Sequence, residues 1–375
     1  MAMGSCLAAC KKGKMRYLPA HVANGVTVPT RARWCCFGPA RCATTLPIGI
    51  LFPTRDVMRF LPEHLEHARS WLDHVEQIVI VDSESEDGTV EYFRGFFADR
   101  PVTILSHPPG LYQSWNHGLA ALTTRYAYVS TIGDHITLEG LSHLCDVAER
   151  HHADAVVSPP QFITENGAKQ QGNLWPVHSI IEALGIKEPF CMEGLLTFAV
   201  ALSYLPFALL GSSASNLYRT TTLQQRPFES CFGMNGDGAW SIANALAVRI
   251  AITPRCFSTF RKHRKHYSLE PYAVADLDQK IMAMGLQVLE RALANEPKWR
   301  EEAAAIGLNQ LIEAKRAVQR WRLAVMEYRG WLWPWILNPL AWHARHQRVA
   351  AQARCTARVN EILRSHYMQA PCSPV

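Results

Sequence analysis

No acidic residue occurs in the first 42 positions, and only Glu327 and Glu361 interrupt the basic residues after position 314. The first stretch holds seven basic side chains (Lys11, Lys12, Lys14, Arg16, Arg31, Arg33 and Arg41), and residues 315–364 hold ten. The whole chain carries only +6, so the body between these tails is net acidic. An acidic body with basic tails argues against a nucleic-acid enzyme, because phosphate backbones call for positive charge at the working surface. A membrane surface or plain solvent suits the tails better.

Other absences narrow the reading further. Eleven cysteines show no repeated spacing, and Cys35 and Cys36 are adjacent, an arrangement that suits neither a zinc site nor a disulfide framework. Reduced thiols in a cytoplasmic protein are the expectation. No long apolar core follows the basic start, so a secretory signal is not expected, and residues 1–45 read as a poorly ordered basic extension. No internal repeat is visible. No charged residue falls between Glu193 and Arg219, and residues 194–211 are long and apolar enough to raise the question of a membrane span. Ser203, Tyr204 and Pro206 weaken that idea. A span there would also place Asp134 and Asp237 on opposite sides of a bilayer. A buried or membrane-apposed helix is expected instead.

What is present is a globular composition, 48% hydrophobic and 19% charged, in a chain long enough for a sizeable core. Short β-branched runs at 47–52, 77–82, 102–105 and 126–131 predict strands. Between them, apolar stripes predict helices over 61–75, from Thr89 through Phe96, and over 112–122. Strands and helices alternating at this spacing imply an α/β fold: a doubly wound, mostly parallel sheet with helices on both faces. Such sheets bind ligands beyond the carboxyl ends of their strands. Polar residues stand there, as Thr54-Arg55, Asp82-Ser83-Glu84 and Gly133-Asp134-His135. From about 286 to 327 the pattern is helical, followed by a Trp-rich stretch, Trp331 to Trp342, and a basic Ala-rich helix. Indole rings beside arginines over 328–348 suit a membrane interface, or equally a lid or subunit contact.

Chemistry concentrates in five segments. Ile78-Val-Ile-Val-Asp-Ser-Glu-Ser-Glu-Asp-Gly-Thr89 places Asp82 directly after a buried strand, where a carboxylate can accept from a base or ribose. Gly88 permits a tight turn there, and Asp87 and Thr89 can cap the next helix. Tyr112, Gln113 and Asn116 begin a helix near the same crevice. Asp134 follows the strand at 126–131, with His135 beside it. Gly236-Asp237-Gly238 opens a helix that continues through Trp240. Phe257 to Ser268 gathers Arg261, Lys262, His263, Arg264, Lys265 and His266, a density of positive charge that a diphosphate would explain.

In that order these segments resemble glycosyltransferase family 2, the inverting enzymes of the GT-A fold, over about residues 46–270. Asp82, Ser85, Asp87, Gly88 and Thr89 match its first signature, with Ser83 and Glu84 departing from it. Asn116 and Gly118 match its Asn-x-Gly, and Asp134 matches the last acid of its metal motif, whose earlier acid is missing. Asp237 matches its catalytic base, and Arg261 and His263 match its Arg-x-His. The resemblance implies an inverting transfer of a sugar from a nucleotide diphosphate sugar to a hydroxyl acceptor, whether glycan, lipid or small molecule. Asp237 would be the general base. Thr54, Arg55, Asp82, Ser85, Gln113, Asn116, Asp134, Arg261 and His263 would bind the donor. Asp134, His135 and His263 would hold a divalent cation, Mg²⁺ or Mn²⁺. Trp240 would offer a flat face to the acceptor sugar.

The expected organisation is a basic extension (1–45), a GT-A-like domain (46–275) and a helical, Trp-rich basic extension (276–375). The expected location is cytoplasmic, with the membrane's cytoplasmic face as a docking surface through 328–348 and no nucleic-acid partner. Two rival readings are a nucleotidyltransferase on a related fold and a non-catalytic membrane-associated scaffold. The first usually carries a Gly-rich basic loop after its first strand, and Pro53-Thr54-Arg55 is no such loop.

Overall fold

A computed structural model describes residues 45–170, 175–262, 271–329 and 339–369. Residues 43–375 make one compact unit. Among the described residues the chain runs β1 (Leu46–Thr54), α1 (Leu61–Leu72), β2 (Val75–Asp82), α2 (Thr89–Phe96), β3 (Thr103–Ser106) and α3 (Leu111–Ala120). It continues through β4 (Tyr126–Val129), β5 (His135–Ile136), α4 (Leu138–His151), β6 (Ala155–Val157), β7 (Gln161–Thr164) and α5 (Pro176–Leu184). Then come β8 (Phe190–Met192), α6 (Gly194–Tyr204), β9 (Asn216–Arg219), α7 (Thr220–Gln225), α8 (Gly236–Asn244), β10 (Ile250–Ile252) and β11 (Ser258–Lys262). Four helices close it: α9 (Pro271–Asn295), α10 (Pro297–Ala305), α11 (Leu308–Arg329) and α12 (Pro339–Gln369).

The large sheet has eight strands in the order β3-β2-β1-β4-β9-β6-β10-β8. β3, β2, β1 and β4 run parallel, β9 runs antiparallel to β4 and β6, and β8 antiparallel to β10. The fold is therefore the α/β, mostly parallel arrangement that the alternating pattern predicts, as expected for the GT-A-like fold that the resemblance implies. Chain order reverses beside β1, with β2 on one side and β4 on the other, and this leaves a crevice at their carboxyl ends.

Side chains alternate across each strand, so β1 feeds both cores. Ile48, Ile50 and Phe52 pack with α1, α2 and α4 on one face, while Leu51 packs with α3, α6, α8 and the C-terminal helices on the other. The helix expected to reach Val75 stops at Leu72; the β-branched run at 78–81 draws Val75 into β2 instead.

α6 is the apolar segment that raised the question of a span. Ten of its eleven residues are buried, so protein covers it on every side. Among the described residues, no helix is long and apolar enough to cross a membrane. Lys315 of α11 is itself completely buried and donates to the carbonyls of Ser203 and Leu205 at the end of α6, where carbonyls lack helical partners. The Trp-rich stretch at 331–338 lies outside the described residues.

A smaller sheet, β5-β11-β7, stands beside the crevice, with Thr259 of β11 facing His135 of β5. It brings the Asp134 loop against the strand that carries Arg261.

Candidate functional site at the carboxyl ends of the strands

Thr54 and Asp82 end neighbouring strands in register. Asp82 is buried and organises the turn that follows it. Its Oδ2 accepts from the Ser85 backbone N–H at 3.0 Å, and its Oδ1 accepts from the Ser85 hydroxyl at 2.6 Å and the Thr54 hydroxyl at 3.3 Å. Ser85 in turn accepts from the Asp56 backbone at 2.9 Å, and Asp87 accepts from Met58 at 2.9 Å. Two loops are thus tied together by side chains that sequence reasoning had read as one turn. Gly88 has φ of 87°, where a side chain would be strained. Arg55 lies exposed beside this turn.

α3 connects this turn to the second carboxylate. Ser114 in its first turns shares a 2.7 Å hydroxyl–hydroxyl bond with Ser83, the residue after Asp82. Two residues earlier, the hydroxyl of the buried Tyr112 adjoins Asp237 closely enough to favour its charged form. One turn of helix therefore reaches both. Gln113, between them, is exposed. Asn116 does something other than orient a nucleotide: its amide donates to the Phe228 carbonyl and accepts from the Phe228 N–H, both at 2.9 Å. That pair clips α3 to the segment leading to Asp237. Phe228 also stacks on Tyr112 with centroids 5.2 Å apart.

Asp237 lies in the first turn of α8 and accepts the Gly238 N–H at 2.7 Å. Burial pushes its carboxyl up to about 6, while the Gly238 N–H and the Tyr112 hydroxyl hold it from rising further. A carboxylate in that range is ionised at neutral pH and more basic than a solvated one, as a general base requires. Gly236 makes the arrangement possible: a Cβ there would stand 2.5 Å from both the Tyr112 ring and the Glu229 carbonyl. Trp240 is a correction. It is completely buried, donates its indole N–H to the Arg226 carbonyl at 2.6 Å and packs on Phe228. Its ring is enclosed in the core, so it presents no face to a sugar.

Asp134 sits beyond β4 with its carboxyl buried. Oδ1 accepts the Arg261 backbone N–H at 2.8 Å, and burial pushes the group up to about 8 despite Arg261. Arg261 does not offset the burial of this group, and a divalent cation would, so Asp134 fits a single oxygen ligand. His135 does not join it. Its ring stacks on His67 at 4.1 Å and its Nε2 lies 3.8 Å from Glu63. Adjacent strand residues face opposite ways, which turns His135 toward α1. Among the described residues, Glu63, His67 and His135 are the group whose ligand atoms converge within 4.8 Å. A cation there would meet the Arg261 guanidinium, which already holds Glu63 at 2.6 Å.

Arg261 is the fourth departure. Its buried side chain donates to the Gly133 carbonyl at 3.1 Å, the Glu165 carbonyl at 2.8 Å and Glu63. The fork that was expected to face a diphosphate is spent inside the protein. It locks the Asp134 loop to α1 and β7's far turn. His263 lies outside the described residues.

The structure thus gathers Thr54, Asp82 and Ser85 at one end of α3's first turns and Asp237 at the other. Tyr112 is the residue that sequence reasoning placed near the donor and failed to pair with Asp237. The two are 125 positions apart, and no local pattern could have joined them.

Residues 50–197 match the family model described as Glycosyl transferase family 2. No curated protein sequence matches the chain. Among solved structures, the chain resembles S. aureus TarS 1-349, with 13% identity and a TM-score of 0.52 over 88% of this chain and 93% of that one. The same protein in complex with UDP-GlcNAc gives 14% identity and a TM-score of 0.50 over 86% and 92%. At these identities the likeness is one of fold.

Proposed function

We propose that this chain, whose residues 50–197 match the glycosyltransferase family 2 model, transfers a sugar from a nucleoside diphosphate to a hydroxyl with inversion, Asp237 acting as base. The observation that carries this reading is the first part of α3, which touches Asp237 through Tyr112 and the Asp82 turn through Ser114. Donor and base thereby share one rigid support, and inverting transfer needs them fixed on opposite sides of the reacting carbon.

Asp82, held by Ser85 and Thr54, would accept from the base or ribose of the donor. Arg55 and Gln113 are exposed around the same crevice and could reach the phosphates or sugar. Asp237 would take the acceptor's proton as its oxygen bonds to the anomeric carbon. The bond from that carbon to the diphosphate then breaks, and the electron pair leaves with the nucleotide. Asp134 would hold a divalent cation, which neutralises charge on the departing diphosphate. Arg261 keeps the Asp134 loop in place and takes no direct part.

Calorimetry with UDP and GDP, with and without Mn²⁺, tests donor binding, and UDP-GlcNAc is the first sugar nucleotide to try. Proton NMR of the product reports the anomeric configuration. A product that keeps the donor's configuration would overturn the inverting mechanism. No binding to either nucleotide would overturn the reading as a whole.

A further inference from the structure

A cavity of about 1380 Å³ lies between the small sheet and the C-terminal helices. Pockets for small ligands usually enclose roughly 300–1,000 Å³, so this one exceeds what a sugar needs. Its bed is aromatic: Phe162 of β7 packs against Phe260 of β11 at 5.8 Å and against Trp175 at 6.2 Å. Phe207 and Met234 are 58% and 45% exposed, two of the few large apolar side chains so open to solvent, and both line it. Scattered exposed apolar residues need no reason, but two gathered on one concave surface do.

The polar lining has one sign. Lys262, Arg322 and Arg348 contribute to the walls, and among the described residues no carboxylate lines them. The Lys262 ammonium lies 5.1 Å from the centre of the Phe162 ring, so charge and apolar bed adjoin. Arg322 is held in place by Asp278 at 3.1 Å.

The cavity also abuts the proposed base. Met234 belongs to the short helical turn Ser230–Asn235, which runs directly into Gly236 and Asp237. On the other wall, the Pro206 carbonyl lies 3.7 Å from where a Cβ on Gly238 would stand. The residues on either side of Asp237 are thus within reach of the cavity's edge.

We propose that this cavity receives the hydrocarbon chain of an amphipathic acceptor with an anionic head, whose hydroxyl Asp237 deprotonates. The proposal rests on Asp237 being the base. The chain lies on Phe162, Phe260 and Trp175, and Lys262 and Arg348 meet the anionic group. The hydroxyl oxygen bonds to the anomeric carbon, its proton passes to Asp237, and the nucleoside diphosphate leaves with the electron pair. A bare glycan would leave the aromatic bed unused.

Palmitoyl lysophosphatidylglycerol below its micellar concentration is the probe, with glycerol phosphate as the head alone and dodecyl maltoside as a neutral chain. Ala353 of α12 is exposed and lines the cavity, so Ala353→Trp fills it from the solvent side with little risk to folding. Calorimetry should show the lysolipid binding at least tenfold more tightly than either control. Ala353→Trp should weaken it about tenfold, and Lys262→Glu should remove the preference over dodecyl maltoside. UDP affinity, measured in parallel, should be the same in wild type and Ala353→Trp. Equal binding of lysolipid and glycerol phosphate, or lysolipid binding untouched by Ala353→Trp, would overturn the proposal. UDP binding with those outcomes would leave the transferase reading standing. Lysolipid binding without UDP binding would overturn the acceptor role, because no donor would be present to react.

Discussion

Replacing Tyr112 by Phe removes one hydroxyl and keeps the ring that packs on Trp115 and Phe228 at 5.2 Å each. The lost bond is one to a carboxylate, and such bonds contribute about 1.5–3 kcal/mol. One pKa unit corresponds to about 1.4 kcal/mol, so the lower end of that range raises Asp237 by about one unit. The sign follows from the cause: the Tyr112 hydroxyl favours the charged form, and burial opposes it. A base is active when deprotonated, so the acidic limb of kcat/KM against pH should move from about 6 toward about 7. At pH 5.5 the variant should be about tenfold slower than wild type. At pH 8.5, where both carboxyls are ionised, the two should nearly coincide. The assay is release of nucleotide diphosphate from the sugar donor across pH 5–9. A uniform loss at every pH would make Tyr112 a structural support only. An unmoved limb, or one that moves down, would refute the bond as the setting of the base.

Gly236→Ala forces a Cβ to within 2.5 Å of the Tyr112 ring and a backbone carbonyl. It should therefore lower kcat about tenfold or more while leaving UDP affinity within about twofold; a fully active variant would remove the need for close approach there. Arg261→Met leaves two carbonyls and Glu63 without their donor and should cost about 1–3 kcal/mol in urea unfolding. Unchanged stability with weakened UDP binding would instead return its guanidinium to the diphosphate. Asp134, raised to about 8, is mostly protonated at neutral pH. Mn²⁺ binding should then release roughly 0.9 proton at pH 7, read from calorimetry in buffers of different ionisation enthalpy. Asp134→Asn should abolish that release, and a release that persists would place the cation elsewhere.

The fold was legible because its signal is local. Buried β-branched runs and amphipathic stripes alternate in a period that only a parallel sheet with covering helices satisfies, and the polar residues at the strand ends mark its crevice. The positions of Asp82, at a strand end, and of Asp237, between two glycines at a helix start, were legible for the same reason. What the sequence could not reveal is the direction of side chains settled by partners far along the chain. Arg261 is basic and follows a strand, as a phosphate ligand should, but Glu63 and two carbonyls lie closer to it than any crevice. Trp240 shares a helix with Asp237, but the Arg226 carbonyl and the Phe228 ring hold it in the core. His135 turns away from Asp134 because strand residues alternate. Tyr112 became part of the site only once β3 and the turn before α8 had brought α3 against Asp237.

Asp237→Asn measures the central claim most directly. The amide keeps the size of the carboxylate and can still accept from Gly238, so α8 and its packing should survive. Donor affinity by calorimetry should stay within about twofold of wild type, while transfer falls by about 10²–10⁴, the share a general base contributes. Burial holds the native carboxyl at about 6, so the native state loses stability as pH rises from its ordinary value toward 6. The variant should lack that loss and be no less stable at pH 7. Transfer that persists, or donor affinity that falls in step with it, would contradict the account.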